Sequence, residues 1–184
     1  MRARAGDLSD RGIRVVTFDF PYITAGRRVP DRPPVLLAAW RAVVEDVATR
    51  HPGAVIAIGG KSMGGRIATM LAAEQDMPPA IRGCVALGYP LHPPGKPEQL
   101  RVAHLGAVAV PLLIVQGERD PFGSPDDIAR EFSAAGAQPQ VVAIASGGHG
   151  FEVRARDAKQ GDVHAGVADT VAEWLGTLQP ATSA

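Results

Sequence analysis

One stretch, Ala54-Val55-Ile56-Ala57-Ile58-Gly59-Gly60-Lys61-Ser62-Met63-Gly64-Gly65-Arg66-Ile67-Ala68, constrains this chain more than any other. It opens on a short apolar run rich in β-branched residues, which reads as a buried strand. It closes on a helix-forming segment, Ile67 to Gln75, rich in Ala, Leu and Met. Between them Gly60-Lys61-Ser62-Met63-Gly64 makes a G-x-S-x-G pattern. A serine on so tight a strand-to-helix turn is held in a strained backbone conformation, its hydroxyl pushed out at the carboxyl edge of the sheet. The flanking glycines are expected because a Cβ at either would collide with the neighbouring chain. The helix that follows aims its first N–H groups at the same point, so Met63 N–H is the expected donor to a developing oxyanion. Gly59-Gly60-Lys61-Ser62 imitates the tail of a phosphate-binding loop. That pattern requires glycine where Val55 stands inside the apolar run, and so it is rejected.

Around this stretch the chain alternates between strand and helix signals. Residues 1 to 11 read as a polar helix stopped by Gly12. Ile13 to Phe20 reads as a strand, and Pro21 to Pro34 as a loop. Val35 to Arg50 follows as an amphipathic helix with Leu36, Trp40, Val43 and Val47 on one face. Further strands are expected at Ile81–Gly88, Val110–Gln116 and Gln140–Ala145, with a short helix within Glu98–Ala107. Ser124-Pro125-Asp126-Asp127 opens a helix, with an N-cap serine and proline at the first position. Asp162 is expected to cap a last helix whose stripe is Val163, Val167, Val171, Trp174 and Leu178. Apolar rather than alternating strands imply a three-layer α/β sandwich around a mostly parallel sheet of about five strands. No repeat or linker divides the chain, so one domain is expected over residues 1–184.

A serine nucleophile needs a base to take its proton and a third group to orient that base. Gly117-Glu118-Arg119-Asp120-Pro121-Phe122-Gly123 follows one expected strand, and Ser146-Gly147-Gly148-His149-Gly150-Phe151 follows the next. Asp120 is the candidate acid, with Glu118 as its alternative, and His149 is the candidate base. Taken alone, an Asp in such a loop is a turn former, and a His among glycines is a solvated residue. The order Ser62, Asp120, His149 along three successive strand ends gives them a common purpose. His92 follows another strand end and is a candidate for lining the substrate cleft. Lys61 and Arg66 flank the serine and suit either an anionic substrate or a structural ion pair. His51, His104 and His164 read as surface residues.

Charge and cysteine content exclude several classes. The 19 basic and 19 acidic residues balance, and no basic run suggests nucleic acid or an anionic membrane surface. The single cysteine, Cys84, forms no disulfide framework, and no group has metal-ligand spacing, so neither metal nor cofactor is expected. The first residues lack an apolar leader and no window is long and apolar enough to span a bilayer, so a cytoplasmic protein is expected.

The segments FDFPY, GGKSMGGR, GYPLHPPGKPEQLR, VQGERDPFG and GGHGF together resemble the small, lidless branch of the α/β-hydrolase superfamily. The resemblance extends to relatives of that branch: dienelactone hydrolases, testis-expressed protein 30 and the third regulatory subunit of the NSL acetyltransferase complex. The resemblance implies Ser62 as nucleophile, Asp120 as acid and His149 as base, with Gly148 where relatives often carry Asp. Such proteins usually begin with a further strand and a His-Gly loop that supplies a second oxyanion donor; neither precedes residues 1–11 here. That departure leads to the expectation that the chain lacks its N-terminal strand and that strand order does not reverse. Two readings follow. One is a serine hydrolase of small or polar esters, with a small-molecule substrate and no lid. The other is a catalytically weak or inactive interaction module that keeps the fold. Beside both stands a homodimer driven by exposed sheet edges.

Overall fold

The computed structural model describes residues 2–180. Four parallel strands, β1 (Ile56–Lys61), β2 (Ile81–Leu87), β3 (Leu112–Gly117) and β4 (Gln140–Ile144), lie side by side in sequence order. Six helices accompany them: α1 (Arg2–Ser9), α2 (Pro21–Thr24), α3 (Pro33–Arg50), α4 (Met63–Ala72), α5 (Pro125–Ala134) and α6 (Gln160–Gly176). The order does not reverse, so right-handed crossovers carry α4 and α5 to one face of the sheet. On that face Ile58, Cys84, Ala86, Leu112 and Ile114 pack against Val44, Leu71, Ile128 and Phe132. On the other, Val85, Leu113 and Val115 meet Leu8, Val167, Val171 and Trp174 of α1 and α6. Alternate residues of one strand thus feed two cores, which is why β2 and β3 read as continuous apolar runs.

Several expectations are corrected by this arrangement. Ile13 to Phe20 is not a strand, so the sheet has four members rather than about five. A strand exists only through its ladder, and no strand among the described residues pairs with this segment. Its aromatic residues still pack to a purpose: half-buried Phe18 meets Trp40 of α3 edge-on at 4.7 Å, and buried Phe20 packs against Leu36 and Ile67. The loop after it carries one helical turn, α2, and α3 starts at Pro33, whose fixed φ suits a first helical position. The buried residues of α3 are Leu36 and Val44, with Val43 and Val47 only half-buried. Between β2 and β3 the expected helix is reduced to a 3-10 turn, Leu105–Ala107. Asp162 lies in the first turn of α6 rather than at its cap, which is Lys159. The polar helix expected over residues 1–11 is α1, Met1 lying outside the described residues, and Gly12 follows it at φ 77°. Ser124 caps α5 as expected, in a capping box with Asp127. No helix among the described residues is long and apolar enough to cross a membrane.

Candidate functional site

Ser62 belongs to two elements at once. Its N–H donates to Leu87 O of β2 at 2.9 Å, continuing the sheet, while its carbonyl accepts the N–H of Arg66 at 3.0 Å, starting α4. One residue can satisfy both only at φ 52°, ψ −120°, a region hostile to a side chain. The turn is tight enough to depend on glycine, but not at both expected places. A Cβ on Gly60 would stand 3.0 Å from the carbonyl carbon of Gly64, and one on Gly65 only 2.6 Å from Gly60 O. Gly64 meets nothing within 4 Å, so the requirement expected there falls on Gly65, where α4 crosses β1 and β2.

Asp120 sits three residues beyond β3, with its side chain fully buried. Phe122 N–H donates to Oδ1 at 2.8 Å, and Gln116 Nε2 donates to Oδ2 at 2.9 Å. The second acceptor site of Oδ2 takes His149 Nδ1 at 2.8 Å. Because a carboxylate only accepts, Nδ1 carries the proton, which leaves Nε2 as acceptor for the Ser62 hydroxyl, 2.8 Å away. The Phe122 ring meets the imidazole edge-on at 4.6 Å and fixes its plane. The structure therefore brings Ser62, His149 and Asp120 into one hydrogen-bonded line.

His149 reaches that line from the far side of the sheet. Its loop leaves β4 and crosses the ends of β3 and β2 before meeting the serine beyond β1, a span of roughly 14 Å at strand spacing. Glycines clear the way. A Cβ on Gly117, the last residue of β3, would be 2.4 Å from the carbonyl oxygens of both Gly147 and Gly148. One on Gly88, just past β2, would be 2.7 Å from His149 O. The loop is pinned beyond the histidine by Phe151, which is fully buried against the α6 core at φ 63°. Glu152 closes it: its carboxylate accepts Gly150 N–H at 2.7 Å and its carbonyl accepts Gly148 N–H at 3.0 Å.

The other candidates separate from this line. Glu118 is exposed and accepts the N–H of Ser146 at 2.8 Å, so it does not replace Asp120. Met63 is the first residue of α4, where helical N–H groups have no intrahelical acceptor. His92 lies at the rim, its ring 6.1 Å from Phe122 and its Nδ1 2.9 Å from Pro93 O. Lys61, the last residue of β1, is half-buried with Nζ beside Gly150. Neither Lys61 nor Arg66 joins an ion pair among the described residues, contrary to the structural reading of both. Gln116 and Phe122 went unread in the sequence; a glutamine ending the apolar run VPLLIVQ was the available signal.

His104 also departs from expectation, being largely buried with Nε2 2.9 Å from Thr69 Oγ1. Burial first, and the charge of Arg66 second, lower its pKa from 6.5 to about 4. The unfolded chain therefore takes up a proton below about pH 6.5 that the folded chain refuses until about pH 4. Stability from this residue is complete above that window and is lost as pH falls through it. The melting temperature of the wild type is expected to drop more between pH 7 and pH 4 than that of His104→Gln; parallel curves in differential scanning calorimetry would refute this.

Comparison with known proteins agrees with this fold. A family profile described as an alpha/beta hydrolase domain matches residues 1–176. Among solved structures, a lidless α/β serine hydrolase from Xanthomonas campestris superposes with a TM-score of 0.68 at 22% identity, over 99% of this chain and 74% of that one. An α/β serine hydrolase homologue from Coxiella burnetii gives 0.66 at 19% identity, over 93% and 71%. The esterase domain of a Rhodothermus marinus protein gives 0.67 at 16% identity, over 96% and 79%. At these identities the structural likeness speaks to the fold.

Proposed function

The chain belongs to the α/β hydrolase domain family, and from that premise we propose that it is a serine hydrolase cleaving a carboxylic ester or similar acyl bond. The observation that carries this reading is the pair of 2.8 Å contacts joining Asp120, His149 and Ser62. In it, Ser62 Oγ attacks the acyl carbon while His149 Nε2 takes the hydroxyl proton and then delivers it to the leaving alcohol. Asp120 holds the imidazole in the tautomer that makes this transfer productive. Met63 N–H donates to the oxygen that gains negative charge. A water molecule, deprotonated by the same imidazole, then hydrolyses the acyl-serine and restores the enzyme.

The substrate class follows from what stands over the site. The segment joining β2 to β3 holds only a 3-10 turn, which favours small or polar esters over long acyl chains that need an enclosed tunnel. His92, beside Phe122, and Lys61, beside Gly150, are the proposed contacts for the non-reacting part of the ester. The test is labelling with a fluorophosphonate probe. Stoichiometric labelling of the wild type, absent in Ser62→Ala, is expected. A folded wild-type protein that stays unlabelled after prolonged exposure would remove the reading.

A further inference from the structure

We infer that Gln116 is a positioning residue for this reaction: its side-chain amide fixes Asp120 and, through Asp120, aims the ring of His149. The inference rests on the hydrolase reading for its kinetic consequences and on geometry for the rest. Every residue of β3 is buried, and Gln116 is wholly so. A primary amide in such a place is costly to bury unless its donors and acceptor are met. Here they are met. Tyr89 N–H donates to Oε1 at 2.8 Å, while Nε2 donates to Gly123 O at 2.8 Å and to Asp120 Oδ2 at 2.9 Å. A further, longer contact of 3.3 Å runs from Nε2 to Tyr89 O.

The orientation of this amide is dictated by its surroundings. Tyr89 N–H can only donate, so the amide oxygen must face it, and the nitrogen must then face the two oxygens on the other side. The amide thus ties Tyr89, two residues past β2, to the carbonyl that closes the Asp120 loop, with the carboxylate held between. Asp120 Oδ1 is fixed by the Phe122 N–H in the same loop. Gln116 is the partner of Oδ2 other than the histidine it has to hold. Without that donor, the carboxylate turns more freely about its Cβ–Cγ bond and the imidazole loses its aim. An apolar side chain of similar shape would suit the packing of β3 as well, so what glutamine adds is hydrogen bonds.

Two variants test this. Gln116→Glu keeps size and the acceptor for Tyr89 N–H, but replaces two N–H donors by at most one O–H, which cannot serve Asp120 Oδ2 and Gly123 O together. Gln116→Met keeps the volume and removes both functions. For variants that melt cooperatively, kcat on p-nitrophenyl acetate is expected to fall on the order of 10²-fold, the cost of a misaimed catalytic group. KM is expected to stay within about twofold, because no substrate contact is lost. The far-downfield proton signal of His149 Nδ1–H bound to Asp120 should weaken or vanish in parallel. Folded variants with wild-type kcat and an unchanged signal would overturn the inference, as would a loss confined to KM. If Gln116→Met does not fold, Gln116→Glu decides. If the wild type neither turns over esters nor takes the phosphonate probe, the hydrolase reading falls by itself, and the proton signal still judges Gln116: retained in the variants, it overturns the inference; lost, it upholds it.

Discussion

Replacing His149 by alanine is expected to lower kcat for an activated ester by about 10⁴- to 10⁶-fold, with KM little changed. The size of this effect follows from the geometry around the ring. Among the described residues Oγ of Ser62 has one basic nitrogen within hydrogen-bond distance, Nε2 at 2.8 Å, and the hydroxyl is a poor nucleophile while it keeps its proton. Glu118, the other acid of that loop, faces Ser146 and cannot deputise. What remains in the variant is the Met63 N–H and the binding of the ester, which together supply only a small part of the acceleration. Steady-state kinetics alongside the fluorophosphonate inactivation rate would check this. A loss of less than about tenfold in both would mean that the proton leaves by another route and that the line of three side chains is not the working unit.

The second large effect is expected far from any reacting atom. Gly117→Ala places a methyl group 2.4 Å from two carbonyl oxygens of the His149 loop, at Gly147 and Gly148. Both obstacles are backbone, so no side chain can rotate away; the loop must rise off the end of β3. Arg119 N–H, which donates to Gly147 O at 2.8 Å, would be strained with it. Overpacking of this kind costs about 1–3 kcal/mol, and a shift of about 1 Å in His149 costs on the order of 10²-fold in kcat. The prediction is therefore a lower melting temperature together with a kcat defect. Gly64→Ala, whose added methyl meets nothing within 4 Å, is the control for stability and should melt close to the wild type. If Gly117→Ala melts like Gly64→Ala, the crossing of the loop over β3 is looser than described.

The sequence carried the site more fully than the frame around it. Ser62, Asp120 and His149 were legible because strand ends, glycine spacing and chain order are local signals, and each falls where a parallel sheet exposes its carboxyl edge. Ile13–Phe20 misled because its alternation of aromatic and polar residues records burial against α3, and burial of one face is common to a strand and to an unpaired extended segment. Pairing is a property of the neighbour, which no window of sequence contains. The same limit explains Gly64 and Gly65: the pattern G-x-S-x-G marks the turn, while the closest approach, of Gly65 to Gly60 O, is decided by how α4 crosses β1 and β2. His104 and Gln116 were missed for a related reason. A polar residue in an apolar stretch says that a partner must exist without naming it, and the partners, Thr69 and Asp120, come from other elements.

The passage of the His149 loop over successive strand ends has a consequence for how the strands are aligned. Sliding one parallel strand by two residues, about 6.6 Å, returns every side chain to its original face and leaves the burial pattern nearly intact. Hydrophobic packing alone therefore distinguishes poorly between such neighbouring alignments. The loop distinguishes them well: Gly88 and Gly117 lie beneath it only in the observed register, in which Gly60 faces Ala86 and Gly117 faces Ile144. Any other alignment sets a side chain under the loop and parts His149 from Ser62, 87 residues away in the chain. The hydrogen-bonded line is in this sense a proofreader of the sheet, because it forms only in a correctly threaded molecule.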